Sequence, residues 1–411
     1  MFSDIATQLH GESNALYRLR DQLQAQGRGV RDLVSGNVNE SGYVFPQNLV
    51  EEILGRASRD CRVYRPDSFG QRRAREAVAD FYRRVGCAGK DFDPANILIT
   101  PGSSLAYWYC FKLLGNAGDE ILCPRPSYPL FDYIAMLAGV KLATYRMSES
   151  DGWAIDLDYL EAVITTRTRA IVLISPHNPT GHVSGEEEVA ALADIARRHD
   201  LPIISDEVFS EFLLGREPLP RPAGAGAPLV FTLNGFSKML ALPGLKFGWM
   251  AVSGDGEKVR EAMRALELIS DTFLPVNEVV QAAAPEFFQL GNAVRFEFAM
   301  RIREAWRLTE RLLAESAAVA CIKPQGGFYV ALKLDGADGE GWGEEEAAQR
   351  LLRENGILVH PGYFYDMDPE HLVMCFVQDP KVLGAAIPEM VKTLSRDEPG
   401  TPRTAPPRKG L

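Results

Sequence analysis

Short apolar runs punctuate this chain at Ile97–Thr100, Glu120–Cys123, Ala170–Ile174, Pro202–Ser205, Leu229–Leu233 and Phe247–Val252. Their apolar positions are consecutive rather than alternating, the pattern of strands buried on both faces. Between them, apolar residues recur at helical spacing, as in Leu105–Leu114 and Glu186–Arg198. Strands alternating with helices predict an α/β fold around a mostly parallel sheet.

The rhythm changes towards the C-terminus. An amphipathic helix is predicted over roughly 293–317. A strand follows at 328–334, a helix at 344–354, strands at 357–359 and 372–377, and a helix at 381–394. This reads as a smaller α+β domain. The expected organisation is an arm and loop over 1–45, a large domain over 46–290, the small domain over 291–395, and a tail over 396–411. That tail, RDEPGTPRTAPPRKGL, is polar and Pro-rich, a composition that predicts disorder.

At 411 residues and 46% hydrophobic, the chain is long enough for two cores. A formal charge of −11 repels phosphate backbones, so nucleic acid is not expected as a partner. No apolar stretch approaches 18 residues, and the N-terminus MFSDIATQLHGE lacks a cationic region followed by an apolar run. Neither a membrane span nor a signal peptide is expected. Six cysteines at 61, 87, 110, 123, 321 and 375 show no C-x-x-C spacing. They fit a reduced, cytoplasmic protein without a metal site.

Strand ends are where an α/β sheet places ligands, and several strand-end loops carry suggestive chemistry. In TPGSSLAYW (100–108), Gly102, Ser103 and Ser104 open a helix and suit a phosphate, or simply cap that helix. In SPHNPTG (175–181), Asn178 either reaches a ligand oxygen or starts a tight turn. His177 beside it lines a pocket or serves the turn. SDEVF (205–209) puts two acids at the end of a buried strand, which is costly unless a cation meets them. In NGFSKMLALPGLKFGW (234–249), Lys238 follows Phe236 and Ser237 and precedes an apolar run. Desolvation there lowers an amine's pKa, as imine chemistry needs, although a lysine snorkelling from a loop is the plain alternative.

The loops occur in one order, 28 residues from Asn178 to Asp206 and 32 from Asp206 to Lys238. With NPTG, then DE, then SK, then a basic residue eight positions later at Lys246, the chain resembles the class I/II aminotransferases over roughly 30–395. These are fold-type I pyridoxal-phosphate enzymes, which implies a mostly parallel seven-stranded sheet in the cofactor-binding large domain. By the resemblance, Lys238 is the Schiff-base lysine and later moves a proton, and Asp206 pairs with the cofactor's pyridinium nitrogen. Asn178 bonds its 3′ oxygen, and Tyr128 stacks on its ring. Gly102, Ser103, Ser104, Ser237 and Lys246 hold its phosphate. Tyr64 reaches the neighbouring subunit's phosphate, which requires a homodimer with shared sites. Asn37 and Tyr43 lie in the loop that closes over substrate, so Asn37 and Asn178 are substrate-binding candidates.

This sequence departs from the family at three places. Phe209 stands three residues after the pyridine aspartate, where the family has tyrosine. Lys246 replaces a phosphate-binding arginine and loses its fork. Val373 and Met374 lie about where an arginine holds the substrate's α-carboxylate, and HLVMCFVQ (371–378) contains none. His360, Tyr363, Phe364 and Tyr365 either shape the substrate site or pack a core. The implied activity is amino transfer between an amino acid and a 2-oxo acid. A lyase, cyclase or decarboxylase on the same scaffold would need no oxo acceptor. A non-catalytic binding protein retaining the fold would need no Schiff-base lysine.

Overall fold

The computed structural model describes residues 1–8, 14–215, 218–274, 276–314, 316, 318–334, 343–368 and 370–395. The predicted tail at 396–411 lies outside them.

The expected runs form strands, at Ile97–Thr100, Glu120–Arg125, Thr168–Ile174, Ile203–Asp206, Leu229–Gly235 and Gly248–Gly254. Lys141–Ser148 completes seven, and the two-residue Ala154–Ile155 adds an antiparallel edge. The strand at 141–148 is not predicted above. Its sequence, KLATYRMS, is half-exposed near the sheet edge and so never reads as a run buried on both faces. Neighbouring strands pair in parallel from 141–148 through 120–125, 168–174 and 203–206 to 229–235. Gly248–Gly254 then runs antiparallel between 229–235 and 97–100.

Each strand divides its side chains between two cores. Leu98, Val172, Ile204 and Phe231 face one apolar layer, and Ile99, Ile171, Ile203 and Val230 face the other. Burial of both faces explains the consecutive apolar runs.

The long helix spans Glu278–Leu313, beginning fifteen residues before the predicted start at 293. Pro285 lies inside its first turns, where a proline weakens the sequence signal for helix. A boundary at 290/291 therefore falls within a continuous helix. Beyond it, Val319–Cys321, Tyr329–Leu334, His371–Cys375 and His360–Pro361 form an antiparallel sheet. Arg31–Asp32 pairs in parallel with Ile357–Leu358, so the N-terminal segment joins this smaller part of the molecule. Among the described residues, no helix is long and apolar enough to cross a membrane.

Candidate active site

A cavity of about 250 Å³ opens at the carboxyl ends of the central strands. Gly102, Ser103, Ser104, Tyr128, Asn178, Asp206, Ser237 and Lys238 all line it. They come from five different strand-end loops, brought together because parallel strands end on one edge of the sheet.

After Thr100 the chain turns through Gly102 at φ +133°, which L side chains rarely adopt. Helix Ser103–Leu114 starts immediately afterwards. The first amides of a helix have no acceptor within it, so this end presents N–H groups and two serine hydroxyls to the cavity.

Strand Ile203–Asp206 delivers its two acids in different directions. Glu207 meets Arg221, with Nε 2.8 Å from Oε2, in a nearly dry ion pair. Asp206 is 8% exposed and forms no ion pair with any described residue. It accepts a hydrogen bond from Tyr107 Oη at 2.9 Å and another from the Val208 amide at 3.0 Å. Burial pushes its carboxyl up to about 6, only partly opposed by those donors.

Lys238 sits in the four-residue helical turn Phe236–Met239, and burial lowers its amine's pKa. Its Nζ donates to the Gly36 carbonyl at 2.6 Å. The rings of Phe209 and Phe328 lie 6.0 and 5.9 Å from that nitrogen. Asn178 Oδ1 is buried and accepts no hydrogen bond from any described residue. His177 faces away, with Nδ1 2.9 Å from Thr180 Oγ1, and so serves its own turn.

Three predicted site residues do not line the cavity. Lys246 is exposed at φ +51°, closing the short 3₁₀ turn Pro243–Leu245. Tyr64 is 67% exposed. Asn37 is exposed, and its Nδ2 donates to Glu40 at 3.0 Å, which ties the side chain into its own loop. Conversely, Tyr107 and Tyr329 line the cavity and were not predicted. Tyr107 lies in the quoted TPGSSLAYW, four residues after Ser103 and hence on the same helix face. That spacing is the signal by which it could have been found.

The chain belongs to the aminotransferase class I and II family, whose profile matches residues 32–387. It is a pyridoxal-phosphate-dependent aminotransferase, moving an amino group between an amino acid and a 2-oxo acid. It is 29% identical over 380 residues to a glutamate-pyruvate aminotransferase of Haemophilus influenzae, covering 91% of this chain and 93% of that protein. It is 30% identical over 376 residues to an alanine aminotransferase of Mycobacterium tuberculosis, covering 89% and 86%. Its structure is similar to that of an aminotransferase from Escherichia coli, with TM-score 0.86 and 27% identity over 96% of this chain and 98% of that one.

The cavity's residues suit the cofactor. A buried carboxylate without a cation, an amide with an unmet acceptor and an amine with lowered pKa share one space. At one end, a helix N-terminus stands ready for an anion.

Proposed function

We propose that Lys238 forms the Schiff-base link to pyridoxal phosphate and that Asp206 faces its pyridine nitrogen. The observation that carries this reading is Asp206, buried and without a cation among the described residues, although its neighbour Glu207 has one. A protonated ring nitrogen supplies that missing charge, and Tyr107 holds the carboxylate on line. Asn178 donates through Nδ2 to the ring's 3′ oxygen, and Tyr128 covers the ring face. Gly102, Ser103, Ser104 and Ser237 hold the phosphate, with Lys246 contributing charge from outside the cavity wall.

When bound, pyridoxal phosphate supplies an electron sink for a substrate's α carbon. Lys238, once released from the link, holds and returns a proton at that carbon, a role its lowered pKa favours. Asp206 keeps the ring nitrogen charged throughout. Phe209 and Phe328 keep water from the amine. Borohydride reduction of the holoenzyme followed by peptide mapping tests the assignment. A pyridoxyl group on Lys238 is the expected result, and one on any other lysine would overturn it.

The active unit in this reading is a homodimer. Val63, Tyr64, Leu268, Phe273 and Leu274 are all exposed, and hydrogen bonds from Ser68 to Asp271 and from Arg65 to Glu278 join their two segments. An apolar surface of this kind favours burial against another protein, and it places Tyr64 where it can reach a second copy. Light scattering of the holoenzyme tests this, and an active monomer would refute it. A cytoplasmic location is proposed on the six free cysteines. The division into a large domain over 46–290 and a small one over 291–395 is proposed as the unit of motion, with helix Glu278–Leu313 shared between the two.

A further inference from the structure

Most polar groups lining the cavity have an assigned partner or face the cofactor, and one does not. Tyr329 opens strand Tyr329–Leu334 and is 8% exposed. The preceding Phe328 packs against Phe209 and Phe212, with ring centroids 4.8 Å away in each case. Alternation along the strand then sends Tyr329 the opposite way, into the cavity. Its Oη forms no hydrogen bond with any described residue, and burial keeps the phenol protonated. Meanwhile Gly36 brings its backbone against both reactive groups. A Cβ there would collide with Tyr329 Oη and lie 3.3 Å from Lys238 Nζ. The phenol and the amine therefore converge on one small volume.

The strand register says what else faces that volume. Tyr329 is opposite Cys375, and Ala331 is opposite Val373. Directly opposed residues in an antiparallel pair share a face. Val373 thus points to the same side as the phenol, but it brings an isopropyl group and is fully buried. Lys238 is the one cationic side chain among the described residues lining the cavity, and its amine is committed to the cofactor link and then to proton transfer at the α carbon. A substrate carboxylate beside the reacting carbon must still be satisfied, because a buried anion without donors is costly.

We propose that Tyr329 Oη donates a hydrogen bond to the substrate's α-carboxylate, so that an uncharged phenol does the work of a guanidinium. The inference rests on Lys238 as the Schiff-base lysine and extends that reading to substrate recognition. Its consequence is a carboxylate site that carries no charge of its own.

Tyr329→Phe in the holoenzyme removes the donor and keeps the ring. Two measurements together test the proposal. The first is steady-state transamination of the best amino acid from a panel. The second is equilibrium binding of unreactive 3-phenylpropionate, with neutral 3-phenylpropanol as control. The variant should lose roughly 10- to 100-fold in kcat/KM, mostly through KM, and bind 3-phenylpropionate weaker by a similar factor. Its affinity for 3-phenylpropanol should be unchanged, whereas a merely structural role for Tyr329 would weaken both ligands alike. Equal losses for acid and alcohol, no loss for the acid, or no measurable binding of the acid to wild type would each overturn the proposal. If peptide mapping finds the pyridoxyl group on Lys238 in both proteins, any such failure belongs to Tyr329 and not to the cofactor assignment.

Discussion

The two walls of the cavity solve different problems. On the large-sheet side, Asp206, Lys238 and the N-terminus of helix Ser103–Leu114 concentrate charge and unmet hydrogen bonds. On the small-sheet side stands Tyr329. Behind it His360 lies between Tyr17 Oη at 2.6 Å and Tyr365 Oη at 3.0 Å. Burial lowers that imidazole to about 4, so this second row is neutral as well. In the proposed reading, one wall holds a highly charged cofactor by strong electrostatics. The other meets the substrate with neutral donors and shape. Neutral donors discriminate by geometry and solvate poorly matched groups weakly, so tight cofactor retention and substrate selection by shape can coexist in one cavity.

The largest expected effect falls on the charged wall. Lys238→Ala should cost on the order of 10⁴-fold in turnover, because it removes both the covalent link and the proton carrier. Transamination assays on the dialysed variant check this, and activity within tenfold of wild type would break the comparison at its first term.

Asp206→Asn should divide activity from stability. Turnover should fall roughly 10²- to 10³-fold, as when one preorganised electrostatic group is lost. The cofactor-free protein should instead become more stable. The Asp206 carboxyl has a folded pKa raised from 3.8 to about 6, so its folding contribution is fully present below 3.8 and is lost as pH rises through 6. Above pH 6 the ionised form costs the apo fold up to about 3 kcal/mol, which asparagine avoids. Denaturant melts of apo wild type and variant at pH 4 and pH 8 test the sign. A less stable apo variant at pH 8 would show that Asp206 already has a cation.

The neutral wall predicts the opposite pH trend. His360 titrates at about 4 when folded, below the ordinary value of 6.5, so the unfolded chain takes up its proton first. Stability is therefore full above pH 6.5 and falls as pH drops towards 4, by up to about 3 kcal/mol from this residue. His360→Gln should flatten part of that slope in urea midpoints measured from pH 4.5 to 7. An unchanged slope would assign the loss to His177, which burial lowers to about 3.

The smallest effect should come from Tyr107→Phe. It removes one hydrogen bond to the Asp206 carboxylate and should cost about tenfold in kcat. An unchanged kcat would mean that the Val208 amide alone orients the carboxylate.

The charged wall was legible in the sequence and the neutral one was not, for a physical reason. Asn178, Asp206 and Lys238 each follow a continuous apolar run, so chain position alone puts them at strand ends. Buried strands also write a strong pattern, and their predicted bounds lie within two residues of those observed. The exposed strand Lys141–Ser148 wrote none. Tyr329 faces the cavity only because of its register with His371–Cys375, a partner more than forty residues away. The Tyr17–His360–Tyr365 contact joins segments from opposite ends of the chain. Such pairings leave no local periodicity. Tyr64 belongs to a site only in the proposed homodimer, and a single chain shows it in solvent.

The hydrogen bond from Lys238 to Gly36 has a mechanical consequence. Gly36 follows Arg31–Asp32, which is stitched to Ile357–Leu358, whereas Lys238 follows a central strand of the large sheet. That bond ties the two segments together, beside a second one from Asn39 Nδ2 to the Ala241 carbonyl at 2.9 Å. In the proposed role, an amine committed to a covalent link would have fewer N–H groups to offer the Gly36 carbonyl, which would weaken one of the two ties. The segment over residues 33–45 stays anchored through Leu33, which bonds Leu358 and Cys375, and through buried Val38, Tyr43 and Phe45, so the cover of the site and its reactive amine share one support.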